Sequence, residues 1–399
     1  MPSGRRNAAR RRRGEGGINF NRDKGLWVAS VAVGLDETGR TLRRYVYAKR
    51  REDLLDKLDA LKSEKREGTL TKPTRTRLAK YLNAWLEDTA RPNVRYGTFR
   101  NYSGLIKNKI LPQIGGFRLS DLAALHVQNL FSELKRFGES SYRLQQVHAV
   151  LYSALAEAVR LRLIPFNVCA AVRTPRLPDK EMHVLNQIQA AKLLEKARGD
   201  RFFALYVLAL ATGMRQGELF GLKWHDVDLK AGTLSIQRTV AREEVKTAEG
   251  RRAVRVGTNA PKTKKGRRLI ALPASVLPVL RDHKKRMMKE GHLEWVFCNT
   301  RGGLLDRGRF RVRKWLPLLE KTNDALPTNQ KLPARFRFHD LRHTAATFRM
   351  LQGDNPKVVQ ELLGHARVAI TSDLYSHVLP SMQERSAERF DKTLSRLVK

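Results

Sequence analysis

Half of the 78 Lys and Arg side chains in this chain have no acidic counterpart, since Asp and Glu number only 39 and leave a formal charge of +39. That surplus limits what the chain can become. Like charges repel across a compact particle, and no apolar core needs them. They make sense on a surface that meets a polyanion. The excess runs along the whole length, so nucleic acid is the leading partner. An anionic membrane fits less well, because no amphipathic basic helix stands alone and no lipidation signal is present. Hydrophobic residues still make up 41% of the 399 positions. That is enough to fold and too long for one ordinary core, so two or three domains are expected.

Cys169 and Cys298 are the only cysteines and lie far apart in apolar surroundings. They read as buried reduced thiols rather than a disulfide or a zinc pair. No apolar run approaches the roughly 20 residues needed to span a bilayer. Met1 to Arg13 is basic but has no apolar segment after it, so it is not a secretory signal. A cytoplasmic setting is expected.

Residues 1–15 carry six arginines (Arg5, Arg6, Arg10, Arg11, Arg12 and Arg13) and read as a disordered basic arm. Residues 16–68 read as a small sheet and a helix. Trp27, Ala29, Val31 and Val33 alternate as in a half-buried strand. Asp36-Glu37-Thr38-Gly39 is a turn, Thr41 to Ala48 resumes a strand, and Leu54, Leu55, Leu58 and Leu61 mark one helix face. The stretch Gly68 to Pro73 is a linker. Residues 74–172 are helical, with Leu78, Leu82, Trp85 and Leu86 on one stripe, further helices over 98–110, 120–136 and 141–162, and breaks at Gly115-Gly116 and Gly138. A second linker, Arg173 to Met182, holds Pro175 and Pro178 and three cations, Arg173, Arg176 and Lys180. Residues 183–385 are the largest unit, mixed helix and strand. Residues 202–211 form an apolar helix, 233–272 hold three strand-like runs, and 339–376 are helical in three pieces. Residues 386–399 form a final amphipathic helix with Phe390, Leu394 and Leu397.

Four short stretches of the large unit carry chemistry. In Ala211-Thr212-Gly213-Met214-Arg215-Gln216-Gly217-Glu218-Leu219 an apolar helix ends and a second begins at Arg215, continuing through Leu222. The Arg215 guanidinium and free backbone N–H groups there could face one anion; a plain helix-capping surface arginine is the alternative. In Phe338-His339-Asp340-Leu341-Arg342-His343, His339 and Arg342 share a helix face, which suits a phosphate and the protons around it. His339 and His343 are four apart and mimic a metal-binding pair, but no Glu serves as base and Arg342 sets a positive charge beside the supposed ion. In Leu362-Leu363-Gly364-His365, Gly364 closes a helix so that His365 emerges at its end, and Tyr375 follows ten residues after His365. A tyrosine usually packs, yet as a nucleophile it can hold the energy of a broken strand in a phosphodiester link. Finally, Gly250 to Arg268 contains eight basic residues and no acidic one, centred on the turn Pro261-Lys262-Thr263-Lys264-Lys265. That turn reads either as a hairpin tip on a DNA backbone or as the source of a proton-donating lysine.

Taken in this order, Arg215, Lys262, His339 with Arg342, His365 and Tyr375 resemble the catalytic set of the tyrosine recombinase (phage integrase) family, and all six positions are filled. The surrounding words ATGMRQGEL, HDLRHTAAT and LLGH are similar to the family's too. The resemblance implies a multidomain α+β protein. Its parts would be a three-stranded arm-type DNA-binding domain over 16–68, a helical (SAM-like) core-binding domain over 74–172 and a mixed α/β catalytic domain over 183–385. Such enzymes are integrases of bacteriophages or other mobile elements.

The resemblance also implies the roles. Arg215 and Arg342 would hold the phosphate oxygens, His365 would add a hydrogen bond, and His339 would help proton transfer at the tyrosine. Lys262, with Lys264 and Lys265 close by, would protonate the leaving 5′ oxygen, and Tyr375 would form a 3′-phosphotyrosyl bond. No cofactor or metal is implied. The partners would be double-stranded DNA and three further copies in a homotetramer on two sites, inside a bacterial host cell, with the need for an accessory DNA-bending or excision protein left open. A type IB topoisomerase and a DNA-binding regulator on the same fold are the alternatives. A metal-dependent nuclease would need clustered carboxylates, which the sequence lacks.

Overall fold

The computed structural model describes residues 18–35, 39–66, 76–178, 182–247, 250–260 and 266–364, together with Ala387, Phe390, Asp391, Leu394 and Ser395. The expected basic arm, the turn residues 36–38, the linker 68–73, Lys180 and most of the last helix, Leu397 included, lie outside the described residues. The chain divides into two units, Met1–Asp179 and Lys180–Lys399.

The first unit opens with an antiparallel sheet of order β1-β2-β3, made of β1 (Ile18–Asn21), β2 (Leu26–Leu35) and β3 (Thr41–Ala48), followed by α1 (Arg51–Arg66). Period-two alternation puts Ala29, Val31 and Ala48 on one face, where they meet Leu54, Leu58 and Leu61 of α1. Leu55, expected on the same stripe, is only half-buried. The β2–β3 register shifts between Ala32 and Gly34.

The rest of this unit is helical. The elements α2 (Leu78–Ala84), the π-wound turns Trp85–Ala90 and α3 (Arg91–Asn93) run on from one another. After them come α4 (Tyr96–Leu105), its π-wound continuation Ile106–Ile110 and α5 (Leu111–Ile114), which ends at Gly115. Then follow α6 (Ala124–Arg136) and α7 (Ser141–Arg160). The stripe Leu78, Leu82, Trp85 and Leu86 is buried with Leu144, Val147, Leu151 and Leu155 of α7. The Tyr81 hydroxyl donates to the Ala154 carbonyl at 2.6 Å and joins α2 to α7.

In the second unit α8 (Gln187–Ala197) precedes α9 (Phe203–Thr212). Nearly every side chain of α9 is apolar, because the helix is enclosed: Leu205, Tyr206, Leu208 and Ala209 are all buried. Next come α10 (Gln216–Phe220), β4 (Val227–Asp228), β5 (Thr233–Ile236), β6 (Thr239–Lys246), β7 (Arg252–Asn259), β8 (Arg268–Ala271) and α11 (Val276–Lys289). Where three strand-like runs were expected over 233–272, four strands form and split between two sheets. One has order β4-β5-β8 and the other is the β6-β7 hairpin. The unit continues with α12 (Arg307–Phe310), α13 (Leu316–Asp324), α14 (Asp340–Leu351) and α15 (Pro356–Leu363). Phe310, on α12, is edge-on to Phe202, Phe220 and Phe338 at 5.2–5.5 Å and fastens these elements to one core. Both cysteines are buried free thiols, and burial pushes Cys169 up to about 12. Among the described residues no helix is long and apolar enough to cross a membrane.

Gly213 ends α9 in the left-handed conformation, at φ 62°. A Cβ there would lie 2.6 Å from Leu363 Cδ2 and 3.5 Å from Ala345 Cβ, so α14 and α15 close directly onto this backbone. Gly232 has nearly the same φ, 67°, but its nearest neighbour is 3.7 Å away. Gly232→Ala therefore carries only the left-handed penalty of about 1–2 kcal/mol. Gly213→Ala should lose about 1–3 kcal/mol more, because overpacking adds to strain. Denaturant unfolding of both variants checks this, and equal losses would mean that the contact with Leu363 yields without cost.

Candidate active site

The left-handed turn at Gly213 reverses the chain and delivers Arg215 to the N-cap of α10. Glu218, three residues on, holds it there by reaching back as the acidic half of a capping box. The Arg215 backbone N–H donates to Glu218 Oε2 at 2.9 Å, while its Nη1 donates to Glu218 Oε1 at 2.9 Å. This differs from the expectation of free backbone N–H groups facing an anion: the Arg215 N–H is consumed by Glu218, and α10 is a five-residue helix that ends before Leu222. The Arg215 guanidinium itself is on a side chain that is 40% exposed.

Glu218 is 3% exposed and is shared with a second cation, since Arg268 Nη2 donates to its Oε2 at 3.0 Å. Burial works to raise the Glu218 pKa, but the Arg268 and Arg215 guanidiniums outweigh it and hold the carboxyl below its ordinary range. Both arginines also reach the C-terminus of α15. Arg215 Nη2 donates to the Gly364 carbonyl at 3.2 Å, and Arg268 Nε donates to the Leu362 carbonyl at 2.6 Å. Gly364 caps that helix in the left-handed conformation (φ 67°), as its position in the sequence implies.

The third element is α14. His339 is its N-cap, and Arg342 lies in its first turn, 3% exposed. Arg342 Nη1 donates to the Gly213 carbonyl at 2.8 Å, which brings the second arginine against the turn that precedes the first. The buried Asp340 carboxylate fixes the entry to this helix by accepting from Arg337 N at 2.7 Å and Arg337 Nη2 at 2.7 Å. Loss of water around part of its ring lowers the His339 pKa to about 4; the Arg342 guanidinium adds to this, and Asp340 opposes it. His339 is therefore neutral near pH 7 and suited to accept a hydrogen bond or a proton. His339 and His343 stand edge-on with ring centroids 5.3 Å apart. Among the described residues no group of three or more His, Cys, Asp or Glu is placed to hold a metal ion.

Three of the six expected residues, Arg215, His339 and Arg342, thus converge on one corner. Lys262 (with Lys264 and Lys265), His365 and Tyr375 lie outside the described residues. The sequence reading gave no role to Glu218 or Arg268. A Glu three residues after a helix start is a capping-box signal. Arg268 shares the inward face of β8 with the buried Ile270, while Leu269 between them is exposed, so strand alternation marks it as a cation in need of a buried partner.

Comparison with known proteins agrees with this architecture. The phage integrase family model matches residues 176–382, and the model of the phage integrase N-terminal SAM-like domain matches residues 77–135. A tyrosine recombinase XerC-like protein of Caldanaerobacter subterraneus is 28% identical over 383 residues, covering 92% of this chain and 95% of its own length. An integrase of Streptomyces ambofaciens is 28% identical over 379 residues, covering 92% and 93%. Among solved structures, the Tn1549 transposon integrase in complex with a circular intermediate DNA matches 77% of this chain and 99% of its own, with a TM-score of 0.64 at 20% identity. The lambda integrase tetramer bound to a Holliday junction matches 92% and 96%, with a TM-score of 0.56 at 18% identity. At such identities the likeness is one of fold. The family match over more than half of the length carries the conclusion that this chain belongs to the phage integrase family and is a site-specific DNA recombinase of the tyrosine type.

Proposed function

We propose that the chain cuts and rejoins DNA strands through a 3′-phosphotyrosyl intermediate on Tyr375, to integrate or excise a mobile element. The observation that carries this reading is that two guanidiniums are fixed at neighbouring helix ends: Arg342 on the Gly213 carbonyl and Arg215 on the Gly364 carbonyl. Two fixed cations suit the non-bridging oxygens of a phosphodiester as charge builds in the transition state. In the cleavage step the Tyr375 oxygen bonds to phosphorus and the bond to the 5′ oxygen breaks. His339, neutral near pH 7, assists removal of the tyrosine proton, Lys262 protonates the departing 5′ oxygen, and His365 donates a hydrogen bond to the phosphate. A 5′ hydroxyl of a partner strand reverses the step. The covalent link conserves the bond energy, so the chemistry requires no metal or nucleotide.

The other domains take roles consistent with the positive surplus. Residues 74–172 would bind the core site with the catalytic domain (183–385), and residues 16–68, preceded by the basic arm 1–15, would read a second, arm-type site. The terminal helix over 386–399 would dock on a neighbouring copy in a homotetramer spanning two DNA sites in the bacterial host cell. An accessory DNA-bending or excision protein is compatible with this arrangement.

Four outcomes test the reading. Tyr375→Phe removes one hydroxyl; it should keep DNA binding and lose all covalent adduct on a nicked duplex that traps the intermediate, and an adduct on this variant would assign the nucleophile elsewhere. Deleting residues 1–68 should leave cleavage of a short core site intact while impairing recombination of full-length sites. The intact protein's affinity should also fall with salt, with a log–log slope of about −0.9 per phosphate neutralised. Recombination of full-length sites at the intact protein's level would remove the arm-site assignment. Lys262→Ala should slow cleavage of ordinary DNA by about 10²–10⁴-fold, the scale of a positioned general acid. It should recover most of that loss when sulfur replaces the 5′ bridging oxygen, because a thiolate leaves without a proton. Recovery by Lys264→Ala instead would shift the acid by two positions.

A further inference from the structure

Arg268 lies outside the six-residue set, yet its guanidinium reaches Glu218 and the carbonyls of Leu362 and Gly266. Its side chain is 8% exposed, against 40% for Arg215, so the two guanidiniums on Glu218 differ in what they can reach. Arg215 opens to solvent, where a phosphate would sit, while Arg268 faces inward. The carboxylate between them takes one guanidinium bond from Arg215, Nη1 to Oε1 at 2.9 Å, and two from Arg268, Nη2 to Oε2 at 3.0 Å and Nη1 to Oε1 at 3.4 Å. Arg268 also donates from Nε to the Leu362 carbonyl at 2.6 Å and from Nη1 to the Gly266 carbonyl at 3.2 Å. It stands six residues after Lys262 and binds a carbonyl three residues before His365, so a single side chain holds the flank of both segments. Such a buried ionic cluster contributes little to fold stability compared with apolar packing, because desolvation offsets the attraction. Its presence beside Arg215 calls for another explanation.

Charge balance supplies one. Arg215, Glu218 and Arg268 together carry a net charge of +1. Without Arg268, Glu218 would face Arg215 alone, the Arg215–Glu218 pair would be neutral, and the guanidinium would be drawn toward the acid instead of the phosphate. Resting on the reading that Arg215 binds the scissile phosphate, we propose that Arg268 is a positioning residue for strand cleavage. By occupying Glu218 and the end of α15 it leaves the Arg215 charge available to DNA, which Arg268 itself never touches.

The prediction is a coupling of unusual sign. Adduct formation would be followed in single turnover on nicked duplexes tiled across the DNA that flanks the gene, with duplex affinity measured by mobility shift and folding by thermal melting. Arg268→Met should slow adduct formation by about 10- to 100-fold, the range of couplings within one ionic network, while affinity changes by less than about threefold. Adding Glu218→Gln should restore at least about tenfold of that rate, because the uncompensated acid is gone. Glu218→Gln alone closes the cycle. Arg268→Lys, which keeps the charge, should fall between wild type and Arg268→Met, and it carries the test with the double variant if Arg268→Met melts too low.

A merely structural role predicts losses that add. Arg268→Met at the wild-type rate, or a double variant slower than either single one, overturns the proposal and leaves the recombinase reading standing. Absence of any adduct with the wild-type chain on every duplex, on which Tyr375→Phe serves as blank, overturns both.

Discussion

Glu218 is a carboxylate removed from water between two guanidiniums, and the geometry of the site follows from that arrangement. It accepts from the backbone N–H at the start of α10, and so fixes the backbone of Arg215 as well as its side chain. It receives Arg268 from the first residue of β8, and through that arginine it is tied to the last carbonyls of α15. Three elements distant in sequence are thus held by one acid. Left without its cations, a buried carboxylate would cost several kcal/mol, so the acid depends on the arginines beside it.

The second constraint is the turn at Gly213. An apolar helix must stop where it leaves the core, and a left-handed glycine stops α9 while exposing a carbonyl that accepts from Arg342. Leu363 and Ala345 then pack where a side chain would be. The close approach of α14 and α15 therefore depends on the absence of a Cβ, and the distance between the two arginines depends on that approach. Packing density and site geometry are here one requirement.

Much of this was legible in the sequence, and the failures have physical causes. The strand Thr41–Ala48, the stripe Leu78, Leu82, Trp85 and Leu86, and the helix ended by Gly213 were readable because each is long enough for its period to show. The four strands between 233 and 272 were not all separable, because β5 and β8 are four residues each and pair with one another across the intervening hairpin. A local pattern carries no trace of that pairing. The Arg215 N–H, expected among those facing an anion, proved to donate to Glu218, which a motif read one residue at a time does not reveal. Arg215, His339 and Arg342 were found by type and spacing. Glu218 and Arg268 were passed over, because a charge in a chain with this many cations draws attention only when its burial is known.

The electrostatics of His339 shows why such a site separates its tasks. A corner built to attract a phosphate is hostile to any further positive charge, and the partial burial of the imidazole together with the nearby Arg342 lowers its pKa to about 4. The consequence for stability has a definite sign. A histidine whose folded-state pKa is depressed binds its proton more readily in the unfolded chain, so the folded state loses stability as pH falls from about 6.5 toward 4 and keeps it above that window. The consequence for chemistry is complementary. Arginines cannot give up their protons in a protein, so they supply charge and leave proton movement to other groups. Loss of water around the ring, with the Arg342 guanidinium adding to it, keeps His339 neutral near pH 7 and leaves its ring free to accept. In the proposed reaction, positive charge for the phosphate and a neutral acceptor for the nucleophile would then come from neighbouring groups of one corner.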